Sequence, residues 1–161
     1  MVSNVAATDG HPVSKFMELA LGIAREAGEL GEVPVGAVVV RSGIVIGSGG
    51  NRVEGEQDPA AHAEMLAIRE AASILGSWRL LGCVLYSTLE PCPMCAGAIL
   101  LARLSGCVYG CRDPKKGADG SIYDVLSAAG GNHHPFVVPD FLAEESSQLL
   151  SGFFRLQRRR G

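Results

Sequence analysis

Two short segments of this 161-residue chain, His62-Ala63-Glu64 and Pro91-Cys92-Pro93-Met94-Cys95, constrain its folding more than any other feature. Each is predicted to open a helix that follows a strand or loop. Cys92 and Cys95 are three apart, so at a helix start both sulfurs point to one side. The partial positive charge of that helix end favours their thiolates, the metal-binding form. Two thiolates and the His62 imidazole make a three-ligand set with a fourth corner open to water, the pattern of catalytic zinc. Glu64 lies two residues beyond His62, and in mid-helix that spacing would turn the two side chains about 200° apart. Both reach a common site only from a first turn, and Asp58-Pro59, read as cap and first helical residue, places them there. The fold must therefore bring two helix starts to one site.

The rest of the chain supplies elements that can do so. Residues 1–13 are small and polar and read as a flexible tail. From Ser14, read as a cap, Phe16, Leu19, Ala20, Ile23, Ala27 and Leu30 recur at helical steps. Val35 to Arg41, a Ser42-Gly43 turn and Ile44 to Gly47 predict a hairpin. Gly49-Gly50-Asn51 reads as irregular backbone suited to glycine. A helix is expected over about 60–75, a strand over 83–87, and an almost wholly apolar, and so buried, helix over 91–103. A strand over 107–110 follows, then a polar stretch from Arg112 to Gly120 and a short helical piece near Tyr123 to Ala128. After a Gly-rich loop come the run Phe136 to Val138 and a last amphipathic helix over about 141–159. Alternating strands and helices after a hairpin imply an α/β fold of three layers, a mixed sheet with helices on both faces, in one domain spanning 14–161.

Composition sets the surroundings. Hydrophobic residues make up 47% of the chain and charged residues 19%, which suits a folded core and excludes disorder for most of it. No apolar run approaches the roughly 18 residues of a membrane helix, and the N-terminus has no secretory pattern. The five cysteines are an odd number in a chain that needs no disulfides, which favours a reducing, cytoplasmic setting. Net charge is -3, but the four arginines of Arg155-Leu156-Gln157-Arg158-Arg159-Arg160 concentrate positive charge at the C-terminus, where a polyanion would be met.

Zinc lowers the pKa of bound water from about 15.7 toward 7. With two thiolates the site is formally neutral, so a nearby base must hold the released proton. Glu64 can take it and deliver protons to a ring nitrogen and to departing ammonia. That is hydrolytic deamination of an aromatic amidine, by a pattern already known from zinc-dependent nucleobase deaminases. Taken alone, the Cys-x-x-Cys pair could equally be redox-active or half of a structural zinc site. Cys83 and Cys107 read as strand core, His133-His134 as exposed loop, and Trp78 as packing at a helix end. Phe153 and Phe154 suit either core packing or stacking on a base.

The chain resembles the bacterial-type tRNA-specific adenosine deaminases, which convert a wobble adenosine to inosine, from about Phe16 to Arg158. The landmarks are Glu32-Val33-Pro34-Val35-Gly36-Ala37, Asn51-Arg52, Asp58-Pro59-Ala60-Ala61-His62-Ala63-Glu64, Leu89-Glu90-Pro91-Cys92-Pro93-Met94-Cys95-Ala96-Gly97-Ala98, Arg112-Asp113-Pro114-Lys115-Lys116-Gly117-Ala118 and Phe153-Phe154-Arg155. The resemblance implies a five-stranded, cytidine-deaminase-like sheet flanked by helices, one zinc ion on His62, Cys92 and Cys95, and proton shuttling by Glu64. It further implies a homodimer that completes the surface for a tRNA anticodon stem-loop. Asn51 and the backbone near Ala63 would hold the flipped base, and Asp113 the adjoining nucleotide. Phe154 and Arg155 would meet the anticodon loop, with Lys115 and Lys116 as candidate phosphate contacts. A free-base or nucleoside deaminase (guanine, cytosine or adenine) would use the same zinc and Glu64 without needing the C-terminal arginines. A zinc- and RNA-binding subunit without chemistry would not need Glu64.

Overall fold

A computed structural model describes residues 11–128 and 130–161 of the chain. Its elements are α1 (Ser14–Glu29), β1 (Gly36–Arg41), β2 (Ile44–Gly50), α2 (Val53–Glu56), α3 (Ala63–Leu75), β3 (Cys83–Leu89), α4 (Pro93–Leu101), β4 (Gly106–Cys111), β5 (Phe136–Val138) and α5 (Ala143–Arg160). The strands form one five-stranded sheet in the order β2-β1-β3-β4-β5. β1 pairs antiparallel with β2 and β3, whereas β3, β4 and β5 run parallel. Mixed pairing is what a hairpin followed by strand-helix-strand crossovers must produce.

Alternation along the strands builds a core on each face. Val38, Val40, Val84, Tyr86 and Val108 pack with Phe16, Met17, Ala20 and Leu21 of α1 and with Leu149 of α5. Ala37, Val39, Leu85, Cys107 and Tyr109 point the other way, onto Ala67 and Ala71 of α3 and Ala96 and Ile99 of α4. Cys83 and Cys107 are both buried in this second core. Among the described residues no helix is long and apolar enough to cross a membrane.

Several boundaries differ from the sequence expectation for identifiable reasons. α1 starts at Ser14, with Val13 in the cap position and no side-chain cap bond. Val13 N–H donates to the Tyr86 hydroxyl at 3.1 Å, so the expected tail is tied to the sheet at its last residue. Positions 1–10 of that tail lie outside the described residues. Asp58 does not cap α3: it accepts the Ala60 N–H at 2.8 Å in a turn of its own, and His62 holds the cap position. Cys92, likewise, holds the cap position of α4, with Pro93 first in the helix. Gly49 and Gly50 belong to β2. Their role is close approach: a Cβ on Gly47 would stand 2.3 Å from the Ala67 carbonyl oxygen, and one on Gly49 2.5 Å from that of Ala63. No helix forms over the described part of 123–128; Asp124 instead bridges to Asp119. The last helix starts at Ala143 rather than Phe141, after Leu142 in a left-handed conformation.

Candidate active site

One edge of the sheet collects the functional side chains. β3 and β4 end there, β1 begins there, and the end of β2 leads into Asn51. The N-termini of α3 and α4 open onto the same edge, so His62 and Cys92, as cap residues, and Cys95, in the first turn of α4, converge. His62 Nδ1 lies 3.5 Å from Cys92 Sγ and 3.5 Å from Cys95 Sγ. A tetrahedral zinc with Zn–S of about 2.3 Å and Zn–N of about 2.0–2.1 Å would hold such donors about 3.6 Å apart, so the spacing fits that ion. The three side chains are positioned to hold a metal ion, with all their donor atoms within 4.8 Å of one another.

Charge around the cluster follows from its crowding. The Cys95 thiol, ahead of the His62 ring, holds Cys92 down to about 4 despite its burial. The same hydrogen bond, together with burial, pushes Cys95 up. Contact with Cys92 raises His62 against the opposing effect of burial. Glu64 is only 3% exposed, and that burial pushes its carboxyl above the usual range. A carboxyl raised in this way sits closer to neutrality, as suits a group that both accepts and returns protons.

The cleft beside the cluster has a volume of about 870 Å³. Of the residues expected from sequence, it brings together Asn51, His62, Ala63, Glu64, Cys92, Asp113, Lys115, Phe154 and Arg155; Cys95 is buried and does not line it. Asn51 donates from Nδ2 to the Val33 carbonyl at 3.3 Å. Its buried Oδ1 has no partner among the described residues, an open acceptor in the cleft wall. Asp113 Oδ1 accepts the N–H groups of Lys115 and Lys116 at 2.9 and 3.3 Å, which forms the turn that presents both lysines. Lys115 Nζ lies 6.0 Å from the centre of the Phe154 ring. Phe154 is exposed, with the half-buried Phe153 edge-on to it, so it is not a core residue.

Two buried glutamates, Glu32 and Glu90, hold the walls, a role that nothing in the sequence marks. Glu32 accepts the N–H groups of Glu54 and Gly55 at 3.1 and 2.6 Å and so holds α2 on one side of the cleft. Glu90 takes hydrogen bonds from the segment after β4 on the other side. Other expectations resolve more simply. His133 contacts the Leu104 carbonyl oxygen at 2.6 Å and is half-buried, away from the cluster. Trp78 is not packed at a helix end but exposed, with the Arg79 guanidinium 4.2 Å over its ring.

A converged imidazole and thiolate pair at two helix starts, with a buried carboxyl alongside, is the site of a zinc-dependent deaminase, and comparison with known proteins agrees. The chain belongs to the cytidine and deoxycytidylate deaminase zinc-binding family, whose pattern it matches over residues 11–111. Within that family it groups with the tRNA-specific adenosine deaminases. It is 48% identical to that enzyme of Bacillus subtilis over 90% of each chain, and 49% identical to that of Agrobacterium fabrum over 89% of this chain and 94% of the other. A solved structure from a study of A-to-I editing by tRNA:A34 deaminases at the wobble position superposes with a TM-score of 0.82 at 48% identity. It covers 86% of this chain and all of the other.

Proposed function

We propose that this cleft converts the wobble adenosine of a tRNA anticodon to inosine by hydrolytic deamination. The observation that carries the reading is the meeting of the His62, Cys92 and Cys95 donors with Glu64 in one cleft whose wall also offers the open Asn51 acceptor.

His62, Cys92 and Cys95 are the residues that would hold zinc, which when bound supplies Lewis-acid activation of water near neutral pH. Glu64 takes a proton from water as the water oxygen bonds to C6 of the base, and passes it to N1. It then moves the second proton of that oxygen to the amino group. The C6–N6 bond breaks with its electron pair on nitrogen, ammonia leaves, and the carbonyl of inosine remains. Asn51 Oδ1 and the backbone near Ala63 orient the base while this happens. Burial of Glu64 keeps bulk water from competing for its proton.

The RNA reading draws on the rim. Lys115, Lys116, Arg112, Arg155 and Arg158 line one side of the cleft, suited to phosphates, and Phe154 offers a stacking face. Anticodon bases are already single-stranded, so extruding one costs only a few kcal/mol. A homodimer belongs to the same reading. α4 is apolar almost all round, yet only Cys95, Ala96 and Ile99 are buried, while Met94 and Leu101 are exposed. The five cysteines are all free thiols, which suits the reducing interior of a cell.

The test is inosine formation on a synthetic anticodon stem-loop carrying a wobble adenosine, with adenosine and free adenine, cytosine and guanine in parallel. Conversion of the stem-loop alone is expected. Conversion of a free base alone would keep the chemistry and overturn the RNA substrate.

A further inference from the structure

Glu90 takes no part in the proton transfers above, yet its carboxylate is 1% exposed and accepts four hydrogen bonds. Oε2 takes the Asp113 N–H at 2.8 Å and the Ser121 hydroxyl; Oε1 takes the N–H groups of Asp119 at 2.9 Å and Ser121 at 3.3 Å. No lysine or arginine pairs with it among the described residues. An ionised carboxylate is acceptor-only, and four donors on its two oxygens match that capacity. A buried charge is costly, and an apolar side chain in its place would spare the fold that cost. Its placement calls for something only an acceptor can do, which is to satisfy several backbone donors of one irregular segment at once.

That segment, 113–121, has two sides. Toward the protein it closes round Glu90 so tightly that a Cβ on Gly117 would stand 2.2 Å from Oε2. Toward the cleft it presents Asp113, Pro114, Lys115 and Lys116. Further ties brace it: Ala118 N–H donates to the Pro91 carbonyl at 2.9 Å, and the Asp119 carboxylate accepts the Tyr109 hydroxyl at 2.7 Å. Glu90 N–H donates to the Cys111 carbonyl at 2.9 Å, and Cys92 follows two residues later. One short stretch thus carries both a metal-site thiol and the anchor of the opposite lip.

We propose that Glu90 is a positioning residue for the deamination, fixing the 113–121 segment relative to the His62-Cys92-Cys95 cluster so that the Asp113–Lys116 lip receives the nucleotides beside the target base. This rests on the tRNA deaminase reading above. Glu90→Gln keeps the shape but turns one acceptor oxygen into a donor facing donors. It is expected to retain its zinc and to raise KM for the stem-loop by about 10- to 100-fold, the scale of one lost charged hydrogen bond, with a smaller change in kcat. Amide exchange at Asp113, Asp119 and Ser121 should quicken in the same variant. Ser121→Ala removes one of the four donors and should shift KM the same way by less, while Ser121→Thr, which keeps the hydroxyl, should restore it. Unchanged KM in both Glu90→Gln and Ser121→Ala would overturn the proposal, as would loss of zinc and kcat in step with KM. If Glu90→Gln does not fold, the Ser121 pair decides. If the unmodified protein converts no stem-loop, the functional reading fails by itself. Amide exchange in zinc-loaded Glu90→Gln then decides the positioning role, and unaltered protection at the three amides would refute it.

Discussion

For individual side chains, the chemistry depends on where His62 and Glu64 fall relative to the first turn of α3. His62 is the cap and Glu64 the second helical residue, so the spacing that would separate them in mid-helix here lets both reach the cleft. Glu64→Ala should keep its zinc and lose turnover by about 10²–10⁴-fold, the usual scale for a general acid–base group. Metal analysis beside a rate measurement checks both halves, and unchanged turnover would sink the shuttle role. Cys92→Ser should lose metal and activity together; a full zinc complement by elemental analysis would remove Cys92 from the ligand set. These residues could be read in the sequence because each carries its chemistry in its own side chain. Glu32 and Glu90 could not, because their partners lie 22 to 31 residues away and, apart from the Ser121 hydroxyl, are backbone N–H groups with no side-chain signature.

Among the secondary-structure elements, periodicity located all five strands and the four long helices, but α3, α4 and α5 start two or three residues later than it implies. Asp58-Pro59 is a strong cap signal that implies an earlier start for α3, but here it serves a separate turn. α2, with four residues, is too short to leave a period, and the helical pattern near 123–128 yields to the Asp119–Asp124 bridge. The glycines of β2 looked like punctuation and prove to be clearance for a helix. Gly49→Ala would press a methyl against the Ala63 carbonyl and displace the first turn of α3, which His62 caps. Overpacking of this kind costs about 1–3 kcal/mol. A lowered melting temperature with weakened zinc retention is expected, read by thermal unfolding and by competition with a chelator. Full zinc affinity in this variant would show that α3 does not set the His62 position.

Across the whole molecule, α4 departs from expectation in an informative way. Its uniformly apolar sequence implied complete burial, yet Leu101 is 73% exposed. On the homodimer reading proposed above, the open face is the one a second copy would cover. Leu101→Glu should convert a dimer to a monomer by light scattering; a monomer before substitution would remove the dimer from the reading. Charge distribution makes a second statement at this scale. RNA affinity should fall steeply with salt, and Arg155→Ala with Arg158→Ala should flatten the slope by about one unit per lost phosphate contact. A slope unmoved by the pair would place the RNA elsewhere.

The two clamps on the cleft walls are built independently. Glu32 holds one wall through Glu54 and Gly55; Glu90 holds the other through Asp113, Asp119 and Ser121; the metal-binding side chains sit on helix starts between them. Neither clamp shares an acceptor with the other. Such an architecture divides labour: a wall can be lengthened, recharged or reshaped by mutation while the reactive centre keeps its dimensions. New substrate preferences can therefore arise on this scaffold without the chemistry being reinvented, and an engineer seeking them would begin at the walls.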